Sequence, residues 1–257
     1  MKIQFISDLH LEYDENFYWM LDNPIPVEGD VLVLAGDICP ITPKGTPFYN
    51  RYEELLQQID GKWDHIIILP GNHEFYFGAD PATYSVYYHT SGQSISVVNN
   101  KTLTIGNVRF LCTTLWSFIR PQNVAACLRG NNDFSFIKVG GKPLNAEVHN
   151  ALHVECTSWL NIRLMEKWDG PTVVISHHLP DTSLIQDKHK GSNINDCYAS
   201  NLGNFIASHP EIKAWIHGHS HGFLDKMIGE TRVLRNPLGN VSRGEHREHK
   251  PGLFIEV

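Results

Sequence analysis

The chain has 257 residues, 42% hydrophobic and 19% charged, with a formal net charge of −7 at pH 7. That length suits one sizeable core, or one core with an inserted cap. The acidic balance argues against a surface built to coat nucleic acid or an anionic membrane, so neither is indicated as a partner.

The first residues, Met-Lys-Ile-Gln-Phe-Ile-Ser, read as a strand over 2–7 and not as a leader. The strand ends in Asp8-Leu9-His10, where alternation turns Asp8 and His10 to one side. An aromatic-rich stretch, 14–21, reads as a helix or a cover over that loop, and Pro24 and Pro26 break it. Residues 30–35 form a second buried strand that ends in Gly36-Asp37. Helical spacing of Tyr52, Leu55, Leu56 and Ile59 predicts a helix over 48–59. The third strand, 65–69, is the apolar run Ile66-Ile67-Ile68-Leu69, stopped by Pro70-Gly71 and followed by Asn72-His73-Glu74. Strand, connection, strand, helix, strand is a mainly parallel start, and such sheets gather ligands at the carboxyl ends of their strands.

A short helix is expected at 81–91. A hairpin follows, 102–105 and 108–113, turning at Gly106-Asn107, so antiparallel strands join the sheet. Residues 116–143 read as an insertion over one face, a candidate specificity cap carrying Arg120, Arg129 and Asn131-Asn132. A long helix is expected over 145–168, with Val148, Leu152, Cys156 and Trp159 as its apolar stripe. The strand 172–176 ends in His177-His178. The Lys-rich segment 181–192 is expected to be a mobile loop, and 198–208 a helix. The strand 213–216 ends in His217-Gly218-His219-Ser220-His221. Two short strands, 223–228 and 231–234, and a last one, 252–257, close a single domain spanning 1–257. No run is long enough to span a bilayer. The five cysteines, Cys39, Cys112, Cys127, Cys156 and Cys197, are widely spaced with no Cys-x-x-Cys. They indicate neither a disulfide framework nor a thiolate zinc site, so a reducing cytoplasm is expected.

Histidine is the informative residue: there are 15, several beside Asp, Asn and Gly. Five strand ends carry candidate ligands: Asp8 and His10, Asp37, Asn72 and His73, His177, and His219 with His221. Carboxylates and imidazoles packed this closely need a cation to offset repulsion and desolvation. Imidazole, carboxylate and one amide, with no thiolate, suit borderline first-row metals such as Mn, Fe or Zn. The number of candidates suits two ions sharing a carboxylate. Such a pair, roughly 3.5–4 Å apart, can hold a bridging hydroxide and clamp a phosphoryl group. His149 and His153 stand at i,i+4 spacing, but no acid–base Glu lies between them, so they read as packing or surface residues.

Asp8-Leu9-His10, Gly36-Asp37, Gly71-Asn72-His73-Glu74, His177 and Gly218-His219-Ser220-His221 resemble, in order, the five motifs of the calcineurin-like metallophosphoesterase superfamily. The resemblance implies an α/β fold, a four-layer sandwich of two mixed β-sheets flanked by helices. It implies one metal on Asp8, His10, Asp37 and His221 and a second on Asp37, Asn72, His177 and His219, with Asp37 bridging. His73 would be the non-ligand histidine that contacts the phosphate and helps the leaving group. Of the adjacent pair, His177 is taken over His178 because it comes first after the strand, and His217 is read as pointing away. The activity implied is hydrolysis of a small-molecule phosphate monoester or diester through a metal-bridging hydroxide. The alternatives are a metal-binding scaffold without turnover, or a dinuclear hydrolase of a non-phosphate substrate.

Overall fold

The computed structural model describes residues 1–83, the backbone of 88–89, and 95–257. Short β-branched and Leu-rich runs make β1 (Lys2–Ile6), β2 (Val31–Ala35) and β3 (His65–Leu69), almost wholly buried as covered parallel strands are. Between them lie α1 (Asp14–Asp22) and α2 (Pro47–Ile59). α2 starts where the Thr46 hydroxyl accepts from the Tyr49 N–H and Pro47 fills the first turn, which needs no N–H of its own. Next come β4 (Tyr88–His89), β5 (Ile95–Val97) and the hairpin β6 (Lys101–Ile105) and β7 (Val108–Thr113). The expected helix at 81–91 lies largely outside the described residues.

The segment after β7 folds into α3 (Val124–Gly130), α4 (Asp133–Phe136) and a two-stranded ribbon, β8 (Lys138–Val139) and β9 (Lys142–Pro143). Then follow α5 (Ala146–Met165), β10 (Thr172–Ser176), α6 (Gly203–Ala207), β11 (Ile212–Ile216), β12 (Leu224–Ile228), β13 (Thr231–Arg235) and β14 (Phe254–Glu256).

The strands form two six-stranded sheets, ordered β14-β1-β2-β3-β5-β4 and β12-β13-β11-β10-β7-β6. In each, four parallel strands are flanked by one antiparallel strand on either edge. Phe5, Val33 and Ile67 of one sheet meet Phe110, Val173 and Ile216 of the other in the central core. The outer face of the first sheet packs on Met20, Leu55 and Ile59 of α1 and α2. That of the second packs on Leu160, Leu164 and Ile206 of α5 and α6. The architecture is thus the expected sandwich of two mixed sheets between helices. Among the described residues no helix is long and apolar enough to cross a membrane.

Two local expectations change. The inward stripe of α5 is His149, Leu152, Cys156, Leu160 and Leu164, one step round from the predicted one, and Asn145 caps the helix by accepting from the Val148 N–H. The helix expected over 198–208 shrinks to α6. Residues Ala199 and Asn201 instead bridge to Leu179 and Asp181, and the Asp181 carboxylate takes the Gly203 N–H at the helix start.

Candidate metal centre

The carboxyl ends of β1, β2, β3, β10 and β11 meet at one rim of the sandwich, and their loops are laced together. The Asp8 and His10 N–H groups donate to the carbonyls of Gly36 and Asp37, and the Gly218 N–H donates to the His177 carbonyl. The Asp8 carboxylate crosses from one sheet to the other to accept from the His219 N–H at 2.9 Å. Asp8, His10, Asp37 and His219 all adopt left-handed backbone angles, φ 54°, 47°, 55° and 68°. Non-glycine residues there carry strain of order 1–3 kcal/mol each, and such residues cluster at binding sites. Gly36 and Gly71 are required for a different reason: a Cβ on the first would overlap the His177 ring, and one on the second the Asp37 carboxylate.

Among the described residues three side-chain groups have the proximity to hold a metal ion: Asp8, His10 and His221; Asp37, His177 and His219; and His10, Glu12 and His73, in which Glu12 takes the Nδ1 edge of both rings. Within the first, His10 Nδ1 donates to Glu12 at 3.0 Å and His221 Nδ1 donates to Glu245 at 2.6 Å. Both Nε2 atoms then present lone pairs, and they face each other at 3.1 Å. Two lone pairs cannot share that gap without a proton or a cation between them. Asp8 Oδ1 lies 3.7 Å from His221 Nε2 and Asp37 Oδ2 lies 3.8 Å from His10 Nε2, so the gap is edged with negative charge.

Within the second group, His177 Nδ1 donates to the Ala35 carbonyl at 2.9 Å, which turns Nε2 toward Asn72 Oδ1 at 3.1 Å and Asp37 Oδ2 at 3.2 Å. His219 Nε2 is buried without a hydrogen-bond partner among the described residues. Burial, with His178 and His177 alongside, pushes the His219 pKa well below 6.5, which keeps the ring neutral. Burial opposes charge on His177 too, but Asp37 overrides it and raises that pKa to about 9. Asp37 faces the first two groups, and burial fails to keep its carboxyl protonated because His177, His73 and His10 hold its pKa well below the usual range. These donors fit divalent cations.

His178, by contrast, is turned into the core. Its Nδ1 lies 3.3 Å from the Thr114 carbonyl, its ring is 5.1 Å from that of Trp116, and it joins none of the three groups. His217 is buried, with Nδ1 against the Gly218 carbonyl. His149 is a core residue of α5 beside Trp116 and Phe134.

Four carboxylates were invisible as site residues in the sequence or carried no role there. Glu12 receives both His10 and His73, the latter at 2.7 Å. Glu245 receives His221. Asp133, on α4, accepts from Asn72 Nδ2 at 2.8 Å and from the Tyr76 hydroxyl at 2.7 Å, which leaves Asn72 Oδ1 facing inward. Glu74 accepts the N–H groups of Gly71, Asp37 and Ile38 and so ties the β2 and β3 loops. Two of them carry a sequence signal: Glu12 in the alternation Asp8, His10, Glu12, and Glu74 within Gly71-Asn72-His73-Glu74. His73 itself is not drawn into a ligand group with Asp37: its Nε2 is 4.0 Å from Asp37 Oδ2, and its ring stacks on Tyr76 at 4.3 Å. Burial works against its charge, but Asp37 and Glu12 hold its pKa up to about 10.

Above these residues lies a cavity of about 430 Å³, lined by Tyr13, Asn131, Asn132, Tyr198, Lys188 and Arg243 among others. Neither Arg120 nor Arg129 lines it, which corrects the expectation that they face a substrate. Arg120 turns away to pair with Asp196 at 2.8 Å. Lys188 and Arg243, at the mouth, make no ion pair within 4 Å among the described residues.

The sequence profile of calcineurin-like phosphoesterases matches residues 1–223, and the chain belongs to that family. An uncharacterised protein of Acanthamoeba polyphaga mimivirus, L509, is 26% identical over 99% of this chain and 96% of its own. Among solved structures, phosphopantetheinyl hydrolase (PptH) from Mycobacterium tuberculosis aligns over 100% of this chain and 95% of its own, with 16% identity and a TM-score of 0.69. A dimetal phosphatase from Danio rerio aligns over 94% and 88%, with 15% identity and a TM-score of 0.53. At those identities the two structures share the fold with this chain.

Proposed function

We propose that this protein is a metal-dependent hydrolase of a small-molecule phosphate monoester or diester. The observation that carries the reading is Asp37, a buried carboxylate standing between two sets of inward-facing imidazole and carboxylate donors. Asp8, His10, Asp37 and His221 would hold one ion, and Asp37, Asn72, His177 and His219 the other. Manganese, iron or zinc all suit such donors. When bound, such a pair supplies the positive charge that lowers the pKa of a coordinated water and offsets charge on the phosphoryl oxygens.

The remaining work falls to the chain's own side chains. His73 presents Nε2 to the cavity and would donate a hydrogen bond or proton to the departing oxygen. Asn72 orients its amide oxygen inward because Asp133 occupies its amide nitrogen. Asn131 and Asn132 carry the insertion at 116–143, the proposed cap of a single domain, to the cavity wall. The cavity volume supports a small molecule as substrate. The names of the two solved structures, a phosphopantetheinyl hydrolase and a dimetal phosphatase, agree with this reading. Five buried free thiols suit a reducing cytoplasm.

The test is a metal determination on the purified protein together with turnover of p-nitrophenyl phosphate and bis-p-nitrophenyl phosphate with added Mn²⁺. Close to two ions per chain, and activity abolished by a chelator, are expected. Two bound ions with no turnover of any ester would favour the scaffold.

A further inference from the structure

We propose that Glu12 is a positioning residue whose single carboxylate oxygen sets the orientation of both His10 and His73, an inference that rests on the phosphoesterase reading above. Glu12 Oε1 lies 3.0 Å from His10 Nδ1 and 2.7 Å from His73 Nδ1. An ionised carboxylate only accepts, so each Nδ1 must carry its proton and each ring must turn Nε2 inward. Among the described residues Glu12 Oε2 is buried without a partner, so the hydrogen bonds of this side chain go through the one oxygen. Arg51 does not take the carboxylate. Its Nη1 donates instead to the backbone carbonyls of Leu11 and Glu12, at 2.8 and 3.0 Å, and fixes the chain from which Glu12 projects.

The two rings meet edge to face, centroids 4.4 Å apart, over that shared oxygen. Tyr76 stacks on the far side of His73 and sets the plane of the ring. Stacking alone leaves the ring free to flip about its χ2 axis, exchanging its edges. Among the described residues the bond to Glu12 is the hydrogen bond that selects which edge faces the cavity, with Asp37 Oδ2 4.0 Å from Nε2 on the opposite edge. The same oxygen decides it for His10, whose Nε2 faces His221 across the metal gap. A candidate ligand and the proposed leaving-group donor therefore share one anchor. Partners behind ligating histidines commonly act in this way.

The cluster His10, Glu12 and His73 also has the proximity of a metal group. His10 would have to spend both ring nitrogens on cations for that to hold, and the Nδ1 distances are those of N–H···O bonds.

The test uses Glu12→Ala, which removes the acceptor, and Glu12→Gln, which keeps an oxygen in the same place. The first readout is long-range ¹H–¹⁵N NMR of zinc-loaded, histidine-labelled protein, with the His73 signals identified by their loss in His73→Asn. The wild type should show a hydrogen-bonded Nδ1–H on His73. Glu12→Ala should lose it and Glu12→Gln should retain it. The second readout is kcat/KM across phosphate esters whose leaving groups run from p-nitrophenol to phenol to an alkyl alcohol. Glu12→Ala should cost about 10-fold or more on the alkyl ester relative to the nitrophenyl ester, within the span of general acid help. It should cause no further steepening in a His73→Asn background, and Glu12→Gln should restore most of the loss. An unchanged Nδ1–H in Glu12→Ala overturns the proposal. So does an equal loss on every ester, or a third zinc ion present in the wild type and absent from Glu12→Ala. A wild type that turns over no ester defeats the phosphoesterase reading alone, and the NMR result still decides the role of Glu12.

Discussion

His149 offers a test of how the core tolerates protons. It sits fully buried on α5, 5.4 Å from the Trp116 ring and 5.9 Å from that of Phe134, and among the described residues its ring nitrogens have at most weak polar support, from the Asn150 side chain and the Ser117 backbone. Burial, with a smaller push from His153, takes its pKa down from 6.5 to about 3. Above pH 6.5 both folded and unfolded chains hold it neutral, and it has no effect on the pH dependence. Below that the unfolded chain takes up a proton that the folded chain refuses, so stability falls until the pH approaches 3. At pH 5 the loss is about 2 kcal/mol, at about 1.36 kcal/mol per pKa unit. His149→Met replaces the imidazole with an apolar side chain that fills irregular space well. Urea unfolding at pH 7.5 and pH 5.0 should show the variant losing about 2 kcal/mol less than the wild type between the two conditions. Any release of metal at pH 5 acts on both proteins and cancels in that difference. The same loss in both proteins would mean that His149 accepts a proton in the folded state, and the burial argument would fail.

Asp37→Ala should remove both ions, measured by elemental analysis, because Asp37 faces both donor groups; one ion retained would assign it to a single site. His177→Ala should cripple metal binding, whereas His178→Ala should leave metal content nearly intact and instead lower the unfolding temperature, since His178 packs on Trp116. The double substitution Lys188→Ala/Arg243→Ala should raise KM several-fold for an ester bearing a second anionic group and leave KM for p-nitrophenyl phosphate nearly unchanged, because it removes uniform binding only. Equal KM changes on both substrates would deny the two cations a part in recognition.

The inner residues were legible because their chemistry leaves a local mark. A carboxylate or imidazole directly after a short, wholly apolar strand has little to do in a core, and a neighbouring glycine reports a crowded backbone. Asp37, after Val31–Ala35 and Gly36, shows both marks; Asp8 follows a largely apolar strand and His219 follows a glycine, and the structure gives all three a left-handed φ. Of the adjacent pair just past β10, the structure turns His177 toward Asp37 and Asn72 and His178 toward Trp116, as neighbours on an extended chain face opposite sides. The residues behind them left no such mark. Asp133 meets Asn72 across 61 positions of sequence, and Glu245 meets His221 across 24, each from a loop or short helix whose placement depends on the whole fold. Arg120 was misread because an exposed arginine looks alike in sequence whether it faces a ligand or an Asp196. The failed helix over 198–208 has the same origin, since bridges from Ala199 and Asn201 to the segment after His177 outcompete local helical spacing. Those distant contacts are what give the site its directionality. Each of His10, His73, Asn72 and His221 has one polar edge held from behind by Glu12, Asp133 or Glu245, so its other edge has only the centre to face. A site built from the inner residues alone would have the right atoms with no fixed orientation.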